Sequence, residues 1–329
     1  MRPSTLIPLA ALAFAIAFPL LSENRYHQYV LVTAFIFAIA ASGLNVLLGF
    51  TGLLNLAHAA FFGIGAYAVG ILMLNLGWSF WLALPAAITL TALLGYLLGL
   101  VAFRTRGDAF AIFTLAVGVI VTQIIARWDA LTGGRDGLNG IPSIGQLGPI
   151  NFDKQIAFYY LALAALVLTL YVIRAVIKAP VGRSFVAVRS NEDLARASGI
   201  DTFVHKQRAL MLSTAIAGLA GGLYAVQLQS LGPVSASGTM ITFTLLLYVI
   251  VGGVATLAGP VIGTLLLVVL AQLLQAFEQY QHLVLGPLLV ILVLFFPNGL
   301  MGLWSRLTAP RRRADAPAPA PAVPTGKES

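Results

Sequence analysis

The chain has 329 residues, 59% of them hydrophobic and 9% charged, with nineteen Lys and Arg against eleven Asp and Glu. Its mean hydropathy is +0.94, and a soluble domain carries about 25% charged residues, so this much apolar surface belongs in a bilayer. The absence of cysteine excludes disulfides, thiolate metal sites and cysteine nucleophiles, and no polar stretch approaches the roughly 50 residues of a small soluble domain.

A helix crosses the hydrocarbon with roughly 20 residues. Apolar segments of about that length are predicted at 5–21, 29–48, 56–76, 80–103, 110–126, 156–177, 209–228, 240–258, 261–277 and 283–303. The expectation is an all-α, polytopic bundle of about ten spans forming one membrane domain over 1–307. One Arg at a span centre costs about 3 kcal/mol, and a Leu, Ile, Phe or Val gains only about 0.3–0.6. Arg104, Arg106 and Asp108 therefore mark an interface. With both termini inside, fifteen Lys and Arg lie in the cytoplasm and only Arg25, Arg127, Arg135 and Lys154 outside, the asymmetry of a positive-inside topology. The least certain crossings are the glycine-rich stretches 44–54 and 249–263.

The first segment has the outline of a signal peptide: Arg2, an apolar run, then SENRYH. Phe18, Pro19, Leu20 and Leu21 stand where a small-x-small cleavage site would be, so a retained span is expected. The last residues, 308–329, are basic and then rich in Pro and Ala, a composition that does not fold alone. Arg311, Arg312 and Arg313 are expected at the anionic inner leaflet.

Two internal energy sources are missing. The only Gly-Lys pair is Gly326–Lys327, without a P-loop before it. No acid lies deep in a span, as an ion-coupled carrier normally needs; Asp108 and Glu278 are near interfaces. His58 is well inside an apolar segment, where a packed, hydrogen-bonded histidine is commoner than a proton relay. No catalytic constellation, metal site or cofactor motif is found, and no enzyme is expected.

The polar island GRSFVAVRSNEDLARASGID at 182–201 carries three acids and three arginines. Set between spans in a cytoplasmic loop at 178–207, it is placed for a partner to grip. Ser190 to Asp193 has the S-x-x-[DE] spacing of a capping box, predicting a helix over about 191–198 closed by Gly199. Ala195, Ala197, Ser198 and Gly199 give it a small-residue side for close approach, and Arg189 and Arg196 can pair with acidic partner groups. The plainer alternative is a solvated loop.

Gly49, Gly52, Gly63 and Gly65 bracket a weakly helical stretch with Asn45, Asn55 and His58; Gly252, Gly253, Gly259 and Pro260 do the same later. Broken helices at membrane depth survive only where they are buried in protein or line a cavity, and a corresponding pair points to a translocation site. Close helix packing through small residues is the alternative. The outer loop at 128–155 contains TGGRDGLNG, fit either to meet an external partner or to make turns.

The island resembles the cytoplasmic coupling loop of ABC-importer permeases, and among them the branched-chain amino acid permease family of LivM type. SGLNVLLGFTGLLNLAHAAFFGIGAYA at 42–68, LTGGRDGLNGIP at 131–142, LYVIVGGVATLAGPVIG at 247–263 and FFPNGLMGLW at 295–304 resemble that family in the same order. The resemblance covers nearly the whole chain except the first span and the tail. The island departs from the best-known coupling motif, which begins Glu-Ala-Ala.

The resemblance implies a multi-pass subunit of a bacterial inner-membrane importer. A second membrane permease subunit would complete the pathway, two cytoplasmic ATP-binding subunits would drive alternating access, and a periplasmic binding protein would deliver leucine, isoleucine or valine. Arg189, Ser190, Glu192, Asp193, Ala195, Arg196 and Gly199 are the expected ATPase-coupling residues, and Asn45, Asn55, His58 and Gln123 the expected pathway residues. A permease for ribose-like sugars or for urea and amides remains open, as does a stand-alone secondary transporter or channel. No nucleic-acid partner is expected.

Overall fold

Without water to bond the backbone, a bilayer-crossing chain satisfies its own N–H and C=O groups, which makes helices of the long apolar runs. The computed structural model describes residues 12–19, 24–105, 107–275 and 299–302. A helical stretch α1 at 12–19 is followed by α2 (Arg25–Asn45), which widens into a π turn at Val46–Phe50, then α3 (His58–Leu74), α4 (Phe80–Ala102), α5 (Asp108–Arg127) and the short α6 (Asp129–Thr132). After a long loop come α7 (Gln155–Lys178), α8 (Pro180–Ser190), α9 (Glu192–Ala197), α10 (Thr202–Leu228), α11 (Pro233–Ser237), α12 (Thr239–Gly252) and α13 (Gly259–Gln275).

Among the described residues, six helical runs are long and apolar enough to cross a membrane: α2 with its π turn, α4, α5, α7, α10 and the α11–α12 run. The apolar helix α3 is shorter, as is α13 as far as the described residues follow it, and a break in the chain precedes each. The expected count of about ten is not reached among these residues. The segments at 5–21 and 283–303 and the tail at 308–329 lie largely or wholly outside them, as does Arg106. The seventh predicted segment starts too late. α10 begins at Thr202, seven residues before 209, because the Asp201 carboxylate accepts from the Val204 N–H and caps it.

The core is built on α2 and α10, 83% and 72% buried over their apolar windows, while α4 and α5 are only 22% buried and form the periphery. Glycines bring α10 onto its neighbours. A Cβ on Gly65 of α3 would stand 2.5 Å from the Gly218 Cα of α10, and one on Gly221 would stand 1.9 Å from the Phe62 carbonyl. Gly63 and Gly65 are thus packing positions, as the small-residue alternative requires.

The 128–155 loop is tied down. Strand β1 (Leu138–Asn139) pairs antiparallel with β4 (Ser230–Leu231), which follows α10, while β2 (Gln146–Leu147) and β3 (Ile150–Asn151) form a hairpin. Leu138 and Ile141 are buried, their side chains beside Gly70, and the Tyr67 hydroxyl donates to the Leu231 carbonyl.

Candidate functional site

The polar island folds as two helices where the sequence predicted one. Pro180 stands in the first turn of α8, where its missing N–H is harmless. Gly182, Phe185 and Val188, spaced three apart, bury one side of α8, and Phe185 lies edge-on to the His205 ring of α10. Ser190 ends α8, its hydroxyl donating to the Val186 carbonyl. The expected capping box is therefore corrected. Asn191, extended at φ −163°, is the N-cap of α9, and its side-chain oxygen accepts from the Leu194 N–H at 2.9 Å. Asn is as good a cap as Ser, and the end of α8 claims Ser190 first. Gly199 closes α9 at φ +82°, with Gly199 N–H donating to Arg196 and Ile200 N–H to Ala195, the paired bonds of a Schellman turn.

A charge cluster fastens α9 to α10. The Glu192 carboxylate accepts from the Lys206 ammonium at 2.8 Å, from Arg196 at 3.0 Å and from the Thr202 hydroxyl at 3.3 Å. Lys206, with 5% of its side chain exposed, also sits 5.3 Å over the Phe103 ring. Burial alone would raise the Glu192 carboxyl. The hydrogen bond and charge of Lys206, with Thr202 and Arg196, outweigh it and hold the carboxyl below the usual range. Ala195 is buried, so the expected outward small-residue side is corrected: Ala197, Ser198 and Gly199 are exposed, with Asp193, Leu194 and Arg196, while Ala195 seats the helix.

Arg189 is exposed on α8, but its guanidinium is directed to the first broken helix. Its guanidinium donates to the Gly49 carbonyl at 2.6 Å, which links the island to the first broken helix. There the Gly52 and Leu53 N–H groups close back on the Leu48 and Leu47 carbonyls, and the chain runs non-helically from Gly52 to the start of α3. Gly52 takes φ +77°, and a Cβ on it would meet Arg189 Cγ at 3.0 Å. A cleft of about 250 Å³ lies between this turn, Gly107 and Asp108 at the start of α5, and Arg189 and Glu192 of the island.

Asn45 locks the first break to the second. Its amide donates to the Thr256 carbonyl at 2.8 Å, and its oxygen accepts from the Ala255 N–H at 3.0 Å. Ala255 takes φ +61°, unusual for a residue with a side chain. The approach requires glycine at 49, where a Cβ would lie 2.1 Å from the Asn45 oxygen and 2.6 Å from the Ala255 nitrogen. In the second break the Thr256 hydroxyl donates to the Gly253 carbonyl and accepts from the Gly259 N–H, joining the end of α12 to the start of α13.

His58 opens α3 and is fully buried. Nε2 lies 2.9 Å from the Ala40 carbonyl and Nδ1 3.4 Å from the Ser213 hydroxyl. A carbonyl only accepts, so Nε2 carries the proton and Nδ1 is the acceptor, a packed arrangement. Asn55 accepts from the Ala57 N–H, while its buried Nδ2 has no partner. Thr114 and Thr242 accept from the Leu56 and Ala59 N–H groups at the same break, and Ser42 is buried with an unpaired hydroxyl. Sequence reasoning passed over Ser42, Thr114, Ser213 and Thr242, since Ser and Thr are common in membrane helices. Their spacing from the glycine-rich break was the available signal.

Gln123 stands apart from Asn45, Asn55 and His58. It is exposed on the outer face of α5, in a shallow groove of about 480 Å³ with Val119, Ile120, Ile124, Arg127 and Trp128. Among the described residues no three His, Asp or Glu side chains converge as a metal site would need.

Residues 26–293 match the family model described as the branched-chain amino acid transport system / permease component. The chain is 33% identical over 315 residues to the high-affinity branched-chain amino acid transport system permease protein LivM of Salmonella typhimurium, covering 89% of this chain and 74% of the relative, and equally so to LivM of Escherichia coli K12. It is also 26% identical over 290 residues to LivH of Salmonella typhimurium, covering 81% of this chain and 91% of that protein. No solved structure matches the chain. A match that spans both broken helices and the polar island between them leaves one assignment: the chain belongs to the permease component family of branched-chain amino acid transport systems.

Proposed function

We propose that this chain is the LivM-type membrane subunit of an ABC importer and moves leucine, isoleucine and valine by alternating access. Similarity to both LivM and LivH supports pairing with a second, related membrane subunit. Two cytoplasmic ATP-binding subunits and a periplasmic binding protein complete the assembly. It has about ten spans with both termini in the cytoplasm of a bacterial inner membrane, the 178–207 loop inside and the 128–155 loop outside.

The observation that carries the reading is α9: a helix of six residues, capped at both ends, pinned to α10 from beneath and presenting Asp193, Leu194, Arg196 and Gly199 outward. Among the coupling residues expected from the sequence, Asp193, Arg196, Gly199 and Ser190 form the docking face. Glu192 and Ala195 hold that face in place, and Arg189 reaches the Gly49 carbonyl at the end of α2. Gln123 lies on the open face of α5, where the second subunit closes the pathway, and Asn45, Asn55 and His58 support its wall at the breaks.

The test is uptake into proteoliposomes. The chain is purified with its co-expressed ATPases and second membrane subunit, the binding protein is loaded with labelled leucine, and ribose and urea serve as alternative solutes. ATP-dependent leucine uptake by the assembly, and none by the chain alone, is expected. Gradient-driven uptake by the isolated chain overturns the reading in favour of a secondary transporter, and uptake of ribose or urea in place of leucine overturns the substrate assignment.

A further inference from the structure

We infer that Arg189 is a positioning residue that carries motion of the cytoplasmic loop to the broken end of α2, and that it does not dock the ATPases. The inference rests on the importer reading above. Three observations converge on it. The Arg189 guanidinium reaches the Gly49 carbonyl at 2.6 Å, 140 residues away in sequence. That carbonyl belongs to the C-terminal end of a helix, the negative end of its dipole, where a cation is favoured. The Gly52 and Leu53 N–H groups that could have met it close instead on Leu48 and Leu47.

The turn is also shaped around the arginine. Gly52 takes a backbone conformation that suits glycine, at φ +77°, and lies so near that a Cβ would meet the Arg189 stem at 3.0 Å. The same turn continues into Asn45, whose amide holds Ala255 and Thr256 of the second break. A line of contacts thus runs from α8 by the Arg189 hydrogen bond to Gly49, along the 45–49 backbone, and by the Asn45 amide to the 253–258 stretch. Beside it lies the 250 Å³ cleft, so α9 and the start of α5 are not in close contact there. When the loop is displaced, Arg189 pulls on a π turn, a helical form that already departs from regular bonding and often marks a functional position.

The experiment uses the full transporter with its ATPases, comparing wild type with Arg189→Gln and Arg189→Lys. Hydrogen exchange is followed with and without ATP over peptides covering 46–57 and 191–199, alongside leucine moved per ATP hydrolysed. In wild type, ATP is expected to change exchange in both regions. In Arg189→Gln the change at 191–199 persists and the change at 46–57 is lost. The leucine-to-ATP ratio falls about ten-fold, the size of one charge-assisted hydrogen bond, and Arg189→Lys restores part of it. A purely structural role would alter exchange at 46–57 equally with and without ATP, and that result overturns the inference, as does an unchanged ATP response there. Loss of the ATPases from Arg189→Gln during purification assigns the residue to docking and overturns the inference alone. Failure of ATPases to bind wild type overturns both this and the importer reading.

Discussion

Replacing Asn45 with alanine removes one amide and cuts two hydrogen bonds, to the Thr256 carbonyl and from the Ala255 N–H. Side-chain hydrogen bonds between membrane helices average about 0.6 kcal/mol, so the bonds alone account for about 1.2 kcal/mol. The stranded backbone groups add more. A buried N–H or C=O without a partner costs about 1–3 kcal/mol, and at membrane depth no bulk water replaces the amide. Ala255 and Thr256 are half-buried, so the lower part of that range applies, and the expected loss is about 2–3 kcal/mol. Asn45→Asp should do no better. When ionised it keeps an acceptor for Ala255 but sets a charged oxygen against the Thr256 carbonyl; only the protonated acid, with its O–H, can donate there. The assay is reversible unfolding of the purified chain in mixed micelles with rising SDS.

A second variant tests the geometry independently. Gly49→Ala forces a Cβ to within 2.1 Å of the Asn45 oxygen and should break the same clamp from the other side. Combining it with Asn45→Ala should cost clearly less than the two losses added, because the second change finds the clamp already open. Additive losses, or an Asn45→Ala variant within about 0.5 kcal/mol of wild type, would refute the claim that one amide joins the two breaks.

Glu192→Gln should leave the buried Lys206 ammonium without its counter-charge and destabilise the loop by about 1–3 kcal/mol, read by thermal unfolding. Because the folded Glu192 carboxyl is held below its ordinary value of 4.5, its contribution is complete above that pH. It disappears as pH falls through the depressed folded value, so acidification below 4.5 should narrow the gap between wild type and Glu192→Gln. Gly65→Leu drives a side chain into the Gly218 backbone and should lower stability by about 1–3 kcal/mol or more; a melting point equal to wild type counts against the packing. A Cβ added at Gly199 would meet nothing within 4 Å, and only the φ of +82° resists substitution. Gly199→Val should therefore cost about 1–3 kcal/mol and Gly199→Asn less, measured as exchange over 191–200.

The long apolar runs of α2, α4, α5 and α7 were legible because a bilayer imposes its thickness on the sequence. So was the island, since charge cannot be hidden at membrane depth without strong cost. What failed was finer. The start of α10 was misplaced because Lys206 and Arg208 read as loop residues; the structure buries Lys206 within the helix by giving it Glu192, a partner fourteen residues earlier. Ser190 read as a cap by spacing alone, whereas the competing bond to Val186 belongs to a helix, α8, whose three-residue apolar spacing was not used. Glycines around the first break carried two meanings at once. Gly49 and Gly52 serve the break, and Gly63 and Gly65 serve helix packing. Only the identity of the atoms opposite each one separates them, and those atoms lie far away in sequence.

The two classes of contact differ in what they permit. Where Gly65 meets Gly218 and Gly221 meets Phe62, backbone lies on backbone, and sliding either helix by a fraction of a turn brings a side chain into a space with no room for it. Those contacts join α3 and α10 into one rigid unit. At the breaks close glycine contacts, Gly49 on the Ala255 nitrogen and Gly252 on the Gly259 carbonyl, are joined by hydrogen bonds from single side chains, Asn45 to the 253–258 stretch and Arg189 to Gly49, with the unpaired Nδ2 of Asn55 and hydroxyl of Ser42 nearby in sequence. A hydrogen bond of this kind can exchange its partner at a cost of about 1–2 kcal/mol, far less than repacking a helix pair. On the proposed importer reading, displacement of α9 is expected to reach 46–57 through Arg189, and exchange over the glycine-packed α3 and α10 is expected to be the same with and without ATP.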